Sequence, residues 1–232
     1  MQICGLQKMT LLDYPEHLAA IVFLGGCNFC CPYCHNAPLV LDYKNQPIIS
    51  KEEVFSYLKK RRTILEGVCI SGGEPTLSQN LITFMKKLKE LGYEIKLDTN
   101  GTNPKLLQKA FSLQLLDYVA MDIKSSPENY SQVCGLSSLD LSPIRESVTF
   151  LKESGIRYEF RTTVVREFHK DQTFHAIGEW LKGDSCYYLQ SFRSGDSVIV
   201  SGLHGYTKDE MEHFRTLMLP CLPNTSLRGV EY

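Results

Sequence analysis

Along this chain, short runs rich in β-branched and aromatic residues alternate with stretches whose apolar residues recur at helical spacing. The runs that read as strands are Ala19–Leu24, Val68–Ser71, Glu94–Thr99, Tyr118–Ile123, Arg157–Val165 and Cys186–Phe192. Between them lie helix signals. Ser50 with Glu53, and Thr207 with Glu210, have capping-box spacing. Ser78 precedes a segment whose Leu81, Phe84, Met85, Leu88 and Leu91 share one face, and Gly92 can close it. Pro104 and Pro143 follow Asn103 and Ser142 at first-turn positions, and Ile144, Val148 and Leu151 repeat the helical spacing up to Gly155. Strands alternating with helices predict an α/β fold of mostly parallel strands. About six such units fall short of the eight that close a β/α barrel. The expectation is a partial, TIM-like (β/α)6 barrel. An open doubly wound sheet gives nearly the same pattern, and either places ligands beyond the strand ends.

The 232 residues suit one sizeable domain spanning 1–232, with no repeat, low-complexity tract or linker. Hydrophobic residues at 43% and charged residues at 22% predict a packed core rather than disorder. A formal charge of −1 leaves no basic excess for nucleic acid. The one basic run, Lys59–Arg62, reads as a solvated helix end. No apolar stretch is long enough to span a bilayer, so no membrane association is expected. Met1-Gln2-Ile3-Cys4 does not open a secretory signal, and a cytoplasmic location is expected. In that reducing compartment nine cysteines, an odd number, read as thiols or metal ligands.

Cys27, Cys30, Cys31 and Cys34 crowd into eight residues directly after the first strong strand. Packing does not account for four thiols in one loop. Cys4, Cys69, Cys134, Cys186 and Cys221, by contrast, read as small buried hydrophobes. Several chemistries compete for the loop. Cys31-Pro-Tyr-Cys34 has the spacing of a dithiol redox motif, and with His35 that of a c-type haem attachment site. Cys27-x2-Cys30 and Cys31-x2-Cys34 are zinc-like pairs, although no spacer separates them. Cys27-x3-Cys31-x2-Cys34 can hold three corners of a four-iron cube and leave the fourth iron open. Soft thiolates suit such a cluster.

The last spacing, with Tyr33 before the final cysteine, resembles the signature of the radical S-adenosylmethionine (SAM) superfamily. Gly72-Gly73-Glu74-Pro75 sits where that superfamily carries its glycine-rich SAM motif. Further segments resemble the activating enzymes of glycyl radical enzymes, above all those serving anaerobic ribonucleoside-triphosphate reductase. They are Tyr33–Asn36, Leu97-Asp98-Thr99-Asn100-Gly101, Met121-Asp122-Ile123-Lys124, Glu159–Val165 and Leu189–Arg193. The likeness runs from Gly5 to Gly229.

The resemblance implies a [4Fe-4S] cluster on Cys27, Cys31 and Cys34, with SAM bound to its open iron. It places Gly72, Gly73 and Glu74 at the methionine moiety, Tyr33 and His35 beside the adenosine, and Asn100 among the SAM contacts. Asp98, Thr99 and Asp122 match a patch that holds a monovalent cation near the SAM carboxylate. Lys124 and Arg161 match positions where a cation faces that carboxylate. The implied reaction is reductive cleavage of SAM to a 5′-deoxyadenosyl radical, fed by a low-potential donor such as flavodoxin or ferredoxin. The radical takes hydrogen from a glycine of a partner enzyme. Cys30 departs from the usual pattern and opens a second register, Cys30-x3-Cys34. A small-molecule substrate, as in 7-carboxy-7-deazaguanine synthase, and a non-enzymatic thiol or metal-binding module are the alternatives. His169, His175, His204 and His213 are expected to be core or surface residues, not ligands.

Overall fold

The computed structural model describes residues 1–195 and 197–230. In chain order the elements are β1 (Ile3–Thr10), β2 (Ala19–Leu24), α1 (Ala37–Leu41), α2 (Lys51–Arg61), β3 (Gly67–Gly72), α3 (Leu81–Glu90), β4 (Glu94–Thr99) and α4 (Pro104–Ser112). They continue with β5 (Tyr118–Asp122), α5 (Tyr130–Val133), α6 (Ser142–Glu153), β6 (Arg157–Val164), α7 (Asp171–Leu181), β7 (Tyr187–Ser191), α8 (Lys208–Met218) and β8 (Thr225–Arg228). All eight strands form one sheet in sequential order. β1 runs antiparallel to β2, and each later neighbour pair is parallel.

The six expected strands are all present. Two more flank them. β1 was not legible because its burial does not alternate, and Gln7, Lys8 and Met9 are exposed. β8 is only four residues long. The doubly wound alternative fails, because that architecture reverses its strand order midway and this sheet does not. Sequential right-handed crossovers put the helices on one face and leave the other as a barrel interior.

Alternation along each strand sorts the two faces. Outward residues such as Val68, Ile70, Ile95, Leu97, Val119 and Phe160 join the main core with Leu81, Phe84, Met85 and Leu88 of α3 and Ile144, Val148 and Leu151 of α6. The inward face mixes small or apolar residues, such as Ile21, Cys69 and Ala120, with charged ones, such as Lys96, Asp98 and Arg161. Arg161 on β6 reaches across β5 to Asp98 on β4, at 3.4 Å, as a curved sheet allows.

The caps follow the predicted chemistry with one shift. Ser50 accepts from the Glu53 N–H at 3.0 Å, and Thr207 with Glu210 forms the reciprocal box. α3, however, starts at Leu81 after Asn80, because Pro75–Leu77 forms a separate 3-10 turn beside Ser78. The basic run ends α2 and is exposed, as expected.

The segment between β1 and β2 plugs the N-terminal end of the parallel strands. Tyr14 is fully buried there, stacked on His17 at 4.3 Å and beside Tyr118 at 6.0 Å. A Cβ on Gly67 would come within 2.7 Å of the Tyr14 ring, so the close approach requires glycine. His17 pairs with Glu94 at 2.9 Å, at the start of β4.

Among the described residues every cysteine is a free thiol. Cys69 and Cys134 are buried as expected. Cys186 is exposed, and Cys4 and Cys221 are only half-buried, so for these three the expected burial is corrected. His169 is buried, while His175, His204 and His213 are exposed.

Candidate active site

Three loops at the C-terminal ends of β2, β3 and β4 are sewn together by main-chain and side-chain bonds. The Gly73 N–H donates to Leu24 O at 2.9 Å and the Glu74 N–H to Gly26 O at 2.8 Å. A Cβ on Gly72 would sit 2.2 Å from Leu24 O, and one on Gly73 2.1 Å from Gly26 O. The paired glycines therefore serve first to bring the two loops into backbone contact, a role no other residue can fill. Asn36 adds a bond from Nδ2 to Gly72 O at 2.9 Å, and Asn100 Nδ2 donates to Asn28 Oδ1 at 2.8 Å.

These loops enclose a cavity of about 300 Å³. Cys27, Cys31 and Cys34 line it together with Tyr33 and His35. Gly72 and Gly73 form a second side, and Asp98, Thr99 and Asn100 a third. Asp122, Lys124 and Arg161 complete it. Of the fourteen residues expected at the site, only Glu74 does not line the cavity. Its carboxylate is buried, accepting from Thr76 N–H at 3.0 Å, Thr76 Oγ1 at 2.6 Å, Thr99 Oγ1 at 2.9 Å and Asn100 N–H at 2.6 Å. Burial nevertheless pushes its pKa up. Glu74 thus ties the glycine turn to the 99–100 loop from outside the cavity lining.

Ser71, Thr163, Gln190 and Ser191 also line the cavity and were not foreseen. Thr163 was within reach of strand periodicity, since it follows Arg161 by two residues. Gln190 and Ser191 fall at the end of the expected strand Cys186–Phe192, in a segment also marked by the resemblance.

The wall opposite the thiols is a chain of alternating charges. Arg161 Nε donates to Asp122 Oδ1 at 2.8 Å, and Lys124 Nζ to Asp122 Oδ2 at 2.9 Å. Burial alone would raise the pKa of Asp122, but Arg161 and Lys124 overcome it and hold the carboxyl down to about 2. Asp98 is lowered against the same burial by Arg161 and Lys96. Burial opposes charge on Lys124, and Asp122 outweighs it, so the ammonium stays charged. Behind Lys124, the buried His169 bridges Lys124 O at 2.9 Å and the Val165 N–H at 3.0 Å. The latter bond makes Nδ1 the acceptor, which leaves Nε2 to donate to Lys124 O.

The thiols are not alike. Burial drives Cys27 up to about 12 and raises Cys34. A bond from the Cys134 thiol lowers Cys31 despite its burial, and Lys124 adds to the effect. The Cys30 N–H donates to Cys134 O at 2.9 Å, so the same short helix that ends at Cys134 anchors the loop. Cys30 itself does not line the cavity. The donors fit a [4Fe-4S] cube with one open corner: three soft thiols on one loop face a shared cavity with a cationic far wall. Among the described residues, no three His, Cys, Asp or Glu side chains are gathered closely enough to hold a single metal ion. The Tyr33 hydroxyl, buried in the cavity lining, lacks a hydrogen-bond partner among the described residues. Such an orphan fits a site completed by a polar ligand.

A sequence model of the radical SAM superfamily matches residues 21–181. This chain belongs to the radical SAM superfamily. It is therefore a radical SAM enzyme, and the family implies a [4Fe-4S] cluster and SAM as its cofactors. A Methanocaldococcus jannaschii protein named as a candidate glycyl-radical enzyme activating enzyme is 31% identical over 199 residues, covering 84% of this chain and 81% of the relative. A Thermococcus kodakarensis protein named as a candidate GTP 3′,8-cyclase is 30% identical over 129 residues, but this covers 54% of this chain and 41% of the cyclase. Streptococcus suis SuiB bound to S-adenosylmethionine shares the fold with a TM-score of 0.63 at 13% identity, over 90% of this chain and 52% of SuiB. No helix among the described residues is long and apolar enough to cross a membrane.

Proposed function

We propose that this radical SAM enzyme activates a glycyl radical enzyme, with anaerobic ribonucleoside-triphosphate reductase as the favoured partner. The observation that carries this reading is the breadth of the 31% relationship, which spans most of both chains. The cyclase match stops at about half of this one.

In this reading Cys27, Cys31 and Cys34 hold the cluster. When bound and reduced, the cluster supplies the electron that splits SAM into methionine and a 5′-deoxyadenosyl radical. The residues of the chain bind, orient and exclude water. Lys124 and Arg161 carry the positive charge for the SAM carboxylate, because a carboxylate leaving water needs a charged partner. Asp98, Thr99, Asn100 and Asp122 form the side of the site that orients the amino-acid portion. Gly72 and Gly73 give backbone access to it, and Glu74 holds their turn in place. Tyr33 and His35 take the adenosine end. Burial lowers the pKa of His35, so the ring is neutral at pH 7 and packs as an aromatic face 5.2 Å from Phe192. The hydrogen taken comes from the α-carbon of a glycine presented at the cavity mouth. A low-potential donor such as flavodoxin or ferredoxin supplies the electron, in the cytoplasm, without nucleic acid or membrane.

The test is anaerobic cluster reconstitution, addition of SAM and dithionite, and then addition of the reductase. Production of 5′-deoxyadenosine together with a glycyl radical signal by electron paramagnetic resonance is expected. If 5′-deoxyadenosine forms but no glycyl radical enzyme of the same organism gains a radical, the small-molecule reading replaces this one.

A further inference from the structure

The group that does not fit this site is the expected monovalent cation. Asp98, Thr99 and Asp122 are the residues that would hold it, and their oxygens are already committed. Asp98 Oδ1 accepts from Lys96 Nζ at 2.5 Å and from Arg161 Nη1 at 3.4 Å, while Oδ2 accepts from Ser71 Oγ at 2.9 Å. Both oxygens of Asp122 are taken by Arg161 and Lys124. Thr99 Oγ1 donates to Glu74 and accepts from the Gly101 N–H at 3.1 Å.

Lys96 makes this arrangement possible. It stands two residues before Asp98 on β4, so both side chains point to the barrel interior. Its side chain is only 2% exposed, and the ammonium lies against Asp98 and, at 3.9 Å, Cys69 Sγ. A buried ammonium survives only where an anion meets it. Three cations, Lys96, Arg161 and Lys124, then share the two carboxylates of Asp98 and Asp122. An added alkali cation would have to sit on the same two carboxylates as the ammonium and guanidinium groups already bound there, against their like-charge repulsion.

We propose that the Lys96 ammonium stands in for a bound monovalent cation, so that this end of the cavity is built by side chains alone and needs neither Na+ nor K+. Lys96 acts through Asp98 and is a positioning residue, not a catalytic one. Its effect on SAM binding rests on the functional reading above; the replacement of the cation does not.

Two measurements separate these. The first follows thermal unfolding of the cluster-free full chain in NaCl, KCl and choline chloride at equal ionic strength, which holds general screening constant. The wild-type midpoint is expected to be the same in all three salts. Lys96→Met is expected to have a lower midpoint that NaCl or KCl raises relative to choline chloride, and Lys96→Arg to behave like wild type. A wild-type midpoint raised by Na+ or K+ over choline overturns the proposal. If Lys96→Met does not fold, the wild-type and Lys96→Arg salt comparisons still decide.

The second measures SAM affinity of the reconstituted protein in the same salts. Wild type is expected to vary less than about twofold, and Lys96→Met to lose roughly tenfold, about 1.4 kcal/mol, with partial recovery in NaCl or KCl. A wild-type affinity that rises severalfold in NaCl or KCl overturns the proposal. Failure to bind SAM in every salt would instead overturn the functional reading, with the unfolding comparison still deciding the role of Lys96.

Discussion

The two ends of the barrel interior use the same strands and opposite strategies. At the N-terminal end the chain fills the opening itself, with Tyr14 wedged between Gly67 and Tyr118 and no polar ligand required. Just above it Glu159 is fully satisfied, gripped by Arg228 through two bonds at 2.9 and 3.0 Å and by Tyr118 Oη at 3.0 Å. At the C-terminal end three cations share the carboxylates of Asp98 and Asp122, the Tyr33 hydroxyl lacks a partner among the described residues, and about 300 Å³ is left open. A closed end is satisfied by protein alone. An end that is polar, charged and incomplete is a site whose last partners come from outside.

The largest expected effect lies at the open end. Cys31→Ala should abolish both bound iron and 5′-deoxyadenosine formation while leaving far-UV circular dichroism unchanged. Retention of a four-iron cluster would place the ligands elsewhere, with Cys30 the first candidate. Arg161→Met comes next. It strips a partner from both Asp98 and Asp122, and breaking a buried ion pair costs about 3–5 kcal/mol. Denaturant unfolding should show that loss, and SAM binding should disappear with it.

Tyr14→Ala tests the closed end. Removing a large buried ring costs about 3–5 kcal/mol, yet SAM affinity of the folded fraction should be unchanged. A large affinity loss would mean that the two ends are coupled and the contrast drawn here is too sharp.

Acid should act more weakly, and first at the open end. Asp122 has a folded pKa near 2, below its ordinary 3.8. Its contribution is therefore complete above the ordinary value and is lost as pH falls toward 2. Unfolding of the cluster-free chain should steepen in that window, and Asp122→Asn should flatten it. Smallest of all is Glu16→Ala. Its pair with Arg157 is exposed, and such pairs are worth about 0–1 kcal/mol. A change in midpoint near the detection limit is expected, and a large one would assign Glu16 a structural role in the plug.

Much of this was legible from local pattern. Strand runs, cap residues and the Cys27-x3-Cys31-x2-Cys34 spacing are short-range signals, and the thirteen cavity-lining residues among those expected sit at strand ends where parallel sheets place their loops. Period-two alternation also put Lys96 and Asp98 on one face. What alternation cannot say is which residue stands across the interior.

That part was decided only by tertiary structure. Glu74 belongs to a binding motif, but its carboxylate turns to the adjacent Thr76 and to Thr99 and Asn100, which lie 25 and 26 residues further along the chain and meet it only in the fold. Cys134 reads as one more buried thiol until β5 and the short helix after it set it beside Cys31. Tyr14 reads as a loop residue until the antiparallel β1–β2 pair carries it under the barrel. The sequence by itself determined six of the eight strands, the capped helices and the spacing of the thiols, since each is written within a few neighbouring residues. The curvature of the sheet decided how the charges pair, because pairing depends on distances between strands that no local pattern records.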